Sequence, residues 1–183
     1  MHRYIAAVCL VILVGVTAGC NKEEVSVAVP GPSELRGEEI GYYCNMTVVE
    51  HAGPKGQVFL TDRERPLWFS SARDTVAFTM LPEEPRNISA IYVTDMGLGD
   101  WNRYVPGAWV QAGKAWYVVG SGKVGGMGAP EPVPFADRIK AEEFRHRHGG
   151  RVLAFDQIPV EEILGFDDPT LDHVGQVHVN RPE

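Results

Sequence analysis

Pro66-Leu67-Trp68-Phe69-Ser70-Ser71-Ala72-Arg73-Asp74-Thr75-Val76-Ala77-Phe78-Thr79-Met80 is the stretch that decides the fold. Leu67-Trp68-Phe69 is a short apolar piece. After it, Ser71 and Asp74 have the spacing of a capping box. Phe69, Ala72, Val76 and Met80 then fall on one stripe at helical spacing. Pro82 and Pro85 stop the helix. Upstream, Gly53-Pro54-Lys55-Gly56 is turn punctuation, Gln57 to Leu60 reads as a strand, and Asp62 to Pro66 is a polar turn. Downstream, Ile88 to Thr94 is a strand that ends on Asp95.

A similar order returns further along. Trp109 to Ala112 and Trp116 to Val119 flank Gly113-Lys114 as a hairpin-like pair of strands. Helical sequence runs from Phe135 to about His148 and is stopped by Gly149-Gly150 in C-cap position. Val152-Leu153-Ala154-Phe155 is a strand followed by Asp156. Pro66 and Phe69 match Pro132 and Phe135, and a second Phe follows nine residues on in each case, Phe78 and Phe144. The expected fold class is α+β, with two small ββαβ units packed together as an internal duplication. Identity between the halves is low, so chance likeness competes with duplication.

The expected boundaries are 1–19 as a lipoprotein-type signal peptide, 20–38 as a flexible spacer, and 39–160 as an α+β domain. That domain divides into halves 39–96 and 97–160, and 161–183 is an acidic tail in which Ile163 and Leu164 can dock one helical turn. Arg3 and the apolar run Ile5 to Val16 form the signal. Val16-Thr17-Ala18-Gly19-Cys20 resembles a lipobox, with Cys20 as the lipidation site and Thr17 where leucine is commoner. A plain signal peptide and an uncleaved anchor are the alternatives, and all three place the domain outside the cytoplasm. Asn21-Lys22-Glu23-Glu24 and Pro30-Gly31-Pro32-Ser33 have spacer composition.

The whole chain carries 17 basic and 24 acidic residues. Losing residues 1–19 removes Arg3 and no acid, leaving 16 against 24, a balance of −8. No basic stripe is present, which argues against nucleic acid as a partner. Of three cysteines, Cys9 leaves with the signal and Cys20 is acylated, so Cys44 stands alone. A lone thiol in an oxidising compartment is a liability unless it is buried or used.

Its surroundings favour use. Tyr42, Tyr43, Thr47, Val48 and Val49 give residues 42–49 a strand-like composition, and on a strand Cys44 and Met46 would point to one face. A thiolate beside a thioether suits Cu(I); simple packing of two soft side chains is the bland alternative. Met127, freed by glycines in Gly125-Gly126-Met127-Gly128, is a candidate third sulfur if the two halves close over the pair. Met96 is a weaker candidate. His51 can close the site from the turn or hydrogen-bond a loop carbonyl, and the second reading is favoured. His146 and His148 form a solvated face near a helix C-terminus. Trp68, Trp101, Trp109 and Trp116 read as core or interface aromatics. Cys-x-x-Cys, His-Glu-x-x-His and Walker patterns are absent.

These residues resemble the NosL family of extracytoplasmic copper-binding lipoproteins. The likeness rests on the lipobox-like start, Tyr43-Cys44-Asn45-Met46, and His51-Ala52-Gly53-Pro54-Lys55-Gly56-Gln57-Val58. Gly125-Gly126-Met127-Gly128 and Val133-Pro134-Phe135-Ala136 complete it. The resemblance implies a Cu(I) chaperone on the periplasmic face of a bacterial membrane, anchored through Cys20. It would serve denitrification by passing copper to the centres of nitrous oxide reductase through a membrane transporter partner. It also implies a duplicated ββαβ architecture similar to part of organomercurial lyase. Cys44 and Met46 match the family's copper-binding pair, and Met127 is the matching choice for a third ligand. Some relatives carry a further cysteine shortly before the pair; here position 41 is Gly41, so the resemblance does not extend to two-thiolate chemistry. The rival readings are a copper lipoprotein of another cuproenzyme pathway, a scaffold lipoprotein without metal, and an enzyme using Cys44 with His51 as base. A non-enzymatic role is expected.

Overall fold

A computed structural model describes residues 29–165; the expected signal, Cys20 and the tail after residue 165 lie outside them. Among the described residues, seven strands form two antiparallel sheets. The first sheet has the order β2-β1-β3-β4, from β1 (Gly56–Leu60), β2 (Leu67–Phe69), β3 (Ile88–Thr94) and β4 (Trp109–Gln111). The second has the order β6-β5-β7, from β5 (Trp116–Val119), β6 (Val133–Phe135) and β7 (Arg151–Ala154). Helix α1 (Ala72–Met80) lies between β2 and β3, and α2 (Arg138–His148) lies between β6 and β7. Each half is therefore a ββαβ unit with its first strand in the middle.

The repeated residues explain the repeated shape. Phe69 ends β2 and packs on Phe78 of α1 with ring centroids 5.5 Å apart; Phe135 ends β6 and packs on Phe144 of α2 at 5.2 Å. Two residues after each first Phe comes the helix N-cap. Ser71 accepts the Asp74 N–H, and Asp137 accepts the Ile139 N–H, satisfying donors that a helix start leaves free. Gly149 closes α2 at φ 76°, a backbone angle that suits glycine.

Each half has its own apolar centre. Val58, Leu60, Leu67, Phe69 and Phe78 fill the first; Val118, Val133, Phe135, Ala141 and Phe144 fill the second. A third cluster joins them, with Val76 of α1 and Val93 of β3 packed with Tyr117 and Val119 of β5. Ile163 of α3 (Val160–Leu164) is buried in this shared core. The Tyr117 hydroxyl donates to the Ala112 carbonyl at 3.0 Å, which lets a phenol sit fully buried there.

Four expectations are corrected. Residues 42–49 are not a strand: they form a turn followed by a 3₁₀ turn at Val48–Glu50, and Asn45 takes φ 56°. Strands 109–111 and 116–119 do not pair as a hairpin. Ala112–Lys114 is a 3₁₀ turn that sends β4 to β3 and β5 to the second sheet, with Ala112 and Ala115 buried in the shared core. A division at residue 96 therefore cuts β4 from the sheet it joins. The expected spacer is docked from Pro30 onward: Ser33 exchanges two hydrogen bonds with the buried Gln57 amide, Tyr92 donates to the Pro30 carbonyl, and Leu35 is buried. Finally, α2 begins at Arg138, because Phe135 is spent on β6.

Candidate metal centre

Residues 41–46 close a tight loop on themselves. The Gly41 N–H donates to the Met46 carbonyl and the Asn45 N–H to the Gly41 carbonyl, each at 2.9 Å. The loop is tied to β2 by the Tyr42 N–H, which donates to the Trp68 carbonyl at 2.7 Å. Asn45, between the two sulfur residues, supplies the left-handed turn that asparagine tolerates better than most. Cys44 and Met46 thus share a loop and not a strand face.

Within it, the Cys44 sulfur lies 3.4 Å from the Ser70 hydroxyl and 3.9 Å from the Met46 carbonyl oxygen. It fills the space over Gly41, where a methyl group would come within 2.5 Å of it. Met46 is 45% exposed and Met127 41%. Two thioethers in contact with water are unusual cargo for side chains that normally fill cores.

Aromatic rings brace the loop from outside. Tyr42 and Tyr43 pack edge-on against Phe69, and Tyr42 also against Phe78. Both hydroxyls donate to Glu84, just beyond α1, at 3.2 and 2.7 Å. Burial first, and then the Glu84 carboxylate, push both phenols upward, so they stay protonated donors.

The Met127 loop approaches from the second half. Val124 bridges Pro130, and the Gly125 N–H donates to the Ala129 carbonyl at 2.9 Å, making a small closed loop. The Gly126 N–H donates to the Ala52 carbonyl at 3.0 Å, and a methyl on Gly126 would lie 2.7 Å from His51 Cβ. This contact carries Met127 to the segment that follows Met46.

His51 itself is occupied. Its Nδ1 is 3.0 Å from the Thr47 carbonyl, the bland role favoured from sequence. The hydrogen bonds of the Cys44 sulfur go to Ser70 and the Met46 carbonyl, and that of His51 to Thr47. Met96 packs against the core of the second half. His146 and His148 are exposed at the end of α2. Among the described residues, no three His, Cys, Asp or Glu side chains gather as a metal cluster.

Beside the Met127 loop lie two buried ionisable side chains that the sequence reading missed. Lys55 is 2% exposed; its Nζ donates to the carbonyls of His51 and Gly53, bracing the turn on which the Met127 loop rests. Burial lowers its pKa to about 8, with Glu131 pulling the other way. Glu131, also 2% exposed, accepts the Ala72 N–H. Burial and then the Asp74 carboxylate raise its pKa to about 8, against the pull of the α1 amides and Lys55. Burial likewise raises Asp74, with the Ser71 hydroxyl, Arg73 and His51 opposing. An acid wedged between Pro130 and Pro132, directly before an apolar strand, was the available signal for Glu131.

A family model described as NosL matches residues 32–163. The chain is 44% identical over 145 residues to the copper-binding lipoprotein NosL of Achromobacter cycloclastes, covering 78% of this chain and 75% of that relative. It is 30% identical to the copper-binding lipoprotein NosL of Stutzerimonas stutzeri, covering 100% of this chain and 93% of the relative. The crystal structure of the copper chaperone NosL from Shewanella denitrificans matches with a TM-score of 0.67 at 30% identity, covering 72% of this chain and 97% of that one.

Proposed function

The chain belongs to the NosL family, and from that membership we propose that it is an extracytoplasmic Cu(I) carrier. It hands copper to the centres of nitrous oxide reductase through a membrane transporter, while a lipid on Cys20 holds it to the periplasmic face. The relatives named as copper-binding lipoproteins support the metal and the anchor. The observation that carries the reading is the Cys44 sulfur seated in a closed loop, with Met46 exposed on the same loop and Met127 exposed on the Gly125–Gly128 loop.

The donor set suits the monovalent ion. One thiolate cancels one positive charge, and thioethers add soft donors without further charge. Cu(I) held by two or three sulfurs keeps room for an incoming Met or His of the recipient. That donor joins first and displaces one of the carrier's own, so the metal passes across without entering water. No bond of a substrate is broken and no turnover is required.

Anaerobic Cu(I) titration against a competing chelator tests this, with Cys44→Ser and Met46→Leu run beside the unaltered chain. One tight copper per chain, lost in Cys44→Ser and weakened in Met46→Leu, is the expected result. Binding indifferent to both changes removes the reading.

A further inference from the structure

Ser70 stands between β2 and the N-cap Ser71. Capping is done by the Ser71 hydroxyl alone, through the Asp74 N–H at 2.9 Å. Ser70 is nevertheless 1% exposed, and among the described residues the Cys44 sulfur is the one hydrogen-bond partner of its hydroxyl. A hydroxyl removed from water without a partner is costly, so this contact accounts for its presence. When Cys44 holds a metal its sulfur carries no proton, and the Ser70 O–H is then the donor.

The contact is built in by the backbone on both sides. Gly41 bridges Trp68, two residues before Ser70, and Tyr42 hydrogen-bonds to the same Trp68. The loop bearing the sulfur and the strand end bearing the hydroxyl are therefore one rigid unit. Gly41 leaves room for the sulfur, since any side chain there would collide with it at 2.5 Å. The sulfur thus sits against both a hydroxyl and a bare backbone.

We propose that Ser70 is a positioning residue for the copper cargo: its hydroxyl donates to the Cys44 thiolate, aims the sulfur's remaining lone pairs at the metal and weakens the sulfur as a donor. This rests on Cys44 being the copper thiolate. A lone pair engaged by a hydrogen bond is lower in energy and gives less to copper, so the carrier releases its cargo faster than an unassisted thiolate would.

The test uses the lipid-anchored protein purified in detergent and loaded anaerobically with Cu(I). The ultraviolet thiolate–copper charge-transfer band and the rate of copper loss to excess chelator are recorded for the unaltered protein, Ser70→Ala and Ser70→Thr. In Ser70→Ala the band moves to longer wavelength and copper loss slows by about three- to tenfold, the scale of a typical net hydrogen bond; Ser70→Thr keeps both at the values of the unaltered protein. Should the alanine variant fold poorly, Ser70→Thr against Ser70→Val gives the same comparison, because the two differ only in the hydroxyl. A variant without the hydroxyl that loads copper with unchanged band and release rate overturns the proposal, whatever its melting temperature. If the unaltered protein shows no band, or Cys44→Ser keeps it, the copper reading has failed instead.

Discussion

Glu131 Oε1 accepts the backbone N–H of Ala72 at 3.0 Å, so a carboxyl group of the second half closes the first turn of the helix in the first half. Glu131 is buried, its pKa is raised from 4.5 to about 8, and that gives folding a pH signature. Between those values the folded chain binds more protons at this site than the unfolded chain. Its contribution is complete below pH 4.5 and is lost as pH rises through about 8. Lys55 acts in the opposite sense: its pKa is lowered from 10.5 to about 8, so stability rises with pH between those values. Urea unfolding across this range should show a trough near pH 8, with Glu131→Gln removing the lower limb and Lys55→Met the upper. A Glu131→Gln profile that still falls between pH 5 and 8 would contradict the assignment.

Truncating Glu131 to alanine has a different effect. It orphans the Ala72 N–H in a buried place, at a cost of about 1–3 kcal/mol. Glutamine retains an acceptor and should recover most of that loss. Chemical denaturation at pH 5 separates the two variants.

The matched N-caps make a paired prediction. Ser71→Ala and Asp137→Ala should each cost about 1 kcal/mol. Because the two sites lie in different halves, the double variant should show the sum to within about 0.5 kcal/mol. A loss confined to one site would mean that only one cap matters to global unfolding.

Gly41→Ala places a methyl 2.5 Å from the Cys44 sulfur and forces the thiol out of its seat. Cu(I) affinity should fall about tenfold or more, since overpacking of this kind typically costs 1–3 kcal/mol. Circular dichroism should remain that of the unaltered fold. Retained affinity would show that the sulfur can bind copper from another position.

Met127→Leu keeps volume and removes the thioether. It should weaken Cu(I) binding roughly tenfold, less than Cys44→Ser does. Stability should stay within about 0.5 kcal/mol, as expected for an exposed side chain. Equal affinity of Met127→Leu and the unaltered chain would remove Met127 from the ligand set.

The halves were legible because their marks are local. Phe69 with Phe78 and Phe135 with Phe144 are spaced so that a strand end and a helix must meet, and each pair does. The error at residues 42–49 has the same local origin. Tyr, Thr and Val suit a pleated sheet, but the two tyrosines instead lie edge-on against the first core, and Asn45 breaks the alternation between Cys44 and Met46. Composition cannot register a single left-handed residue. The apparent hairpin at 109–119 failed because its strands prefer partners far away in sequence, and burial of Ala112 and Ala115 outweighs proximity. At the candidate site, the sulfur side chains proposed as ligands stand out by residue type. Ser70, Lys55 and Glu131 do not, because a serine or a charge becomes informative only once it is known to be buried.

The two sulfur-bearing loops are anchored in different ways. The Cys44 loop is held by its own backbone pairs, by Trp68 and by both tyrosine hydroxyls; the Met127 loop has backbone pairs of its own and meets the first half through Gly126 N–H to the Ala52 carbonyl and Arg73 to the Pro130 carbonyl. Breaking one such bond costs about 1 kcal/mol. On the proposed ligand set, Cys44 and Met46 belong to the first half and Met127 to the second, so any displacement of one loop against the other would part the thiolate from the third sulfur.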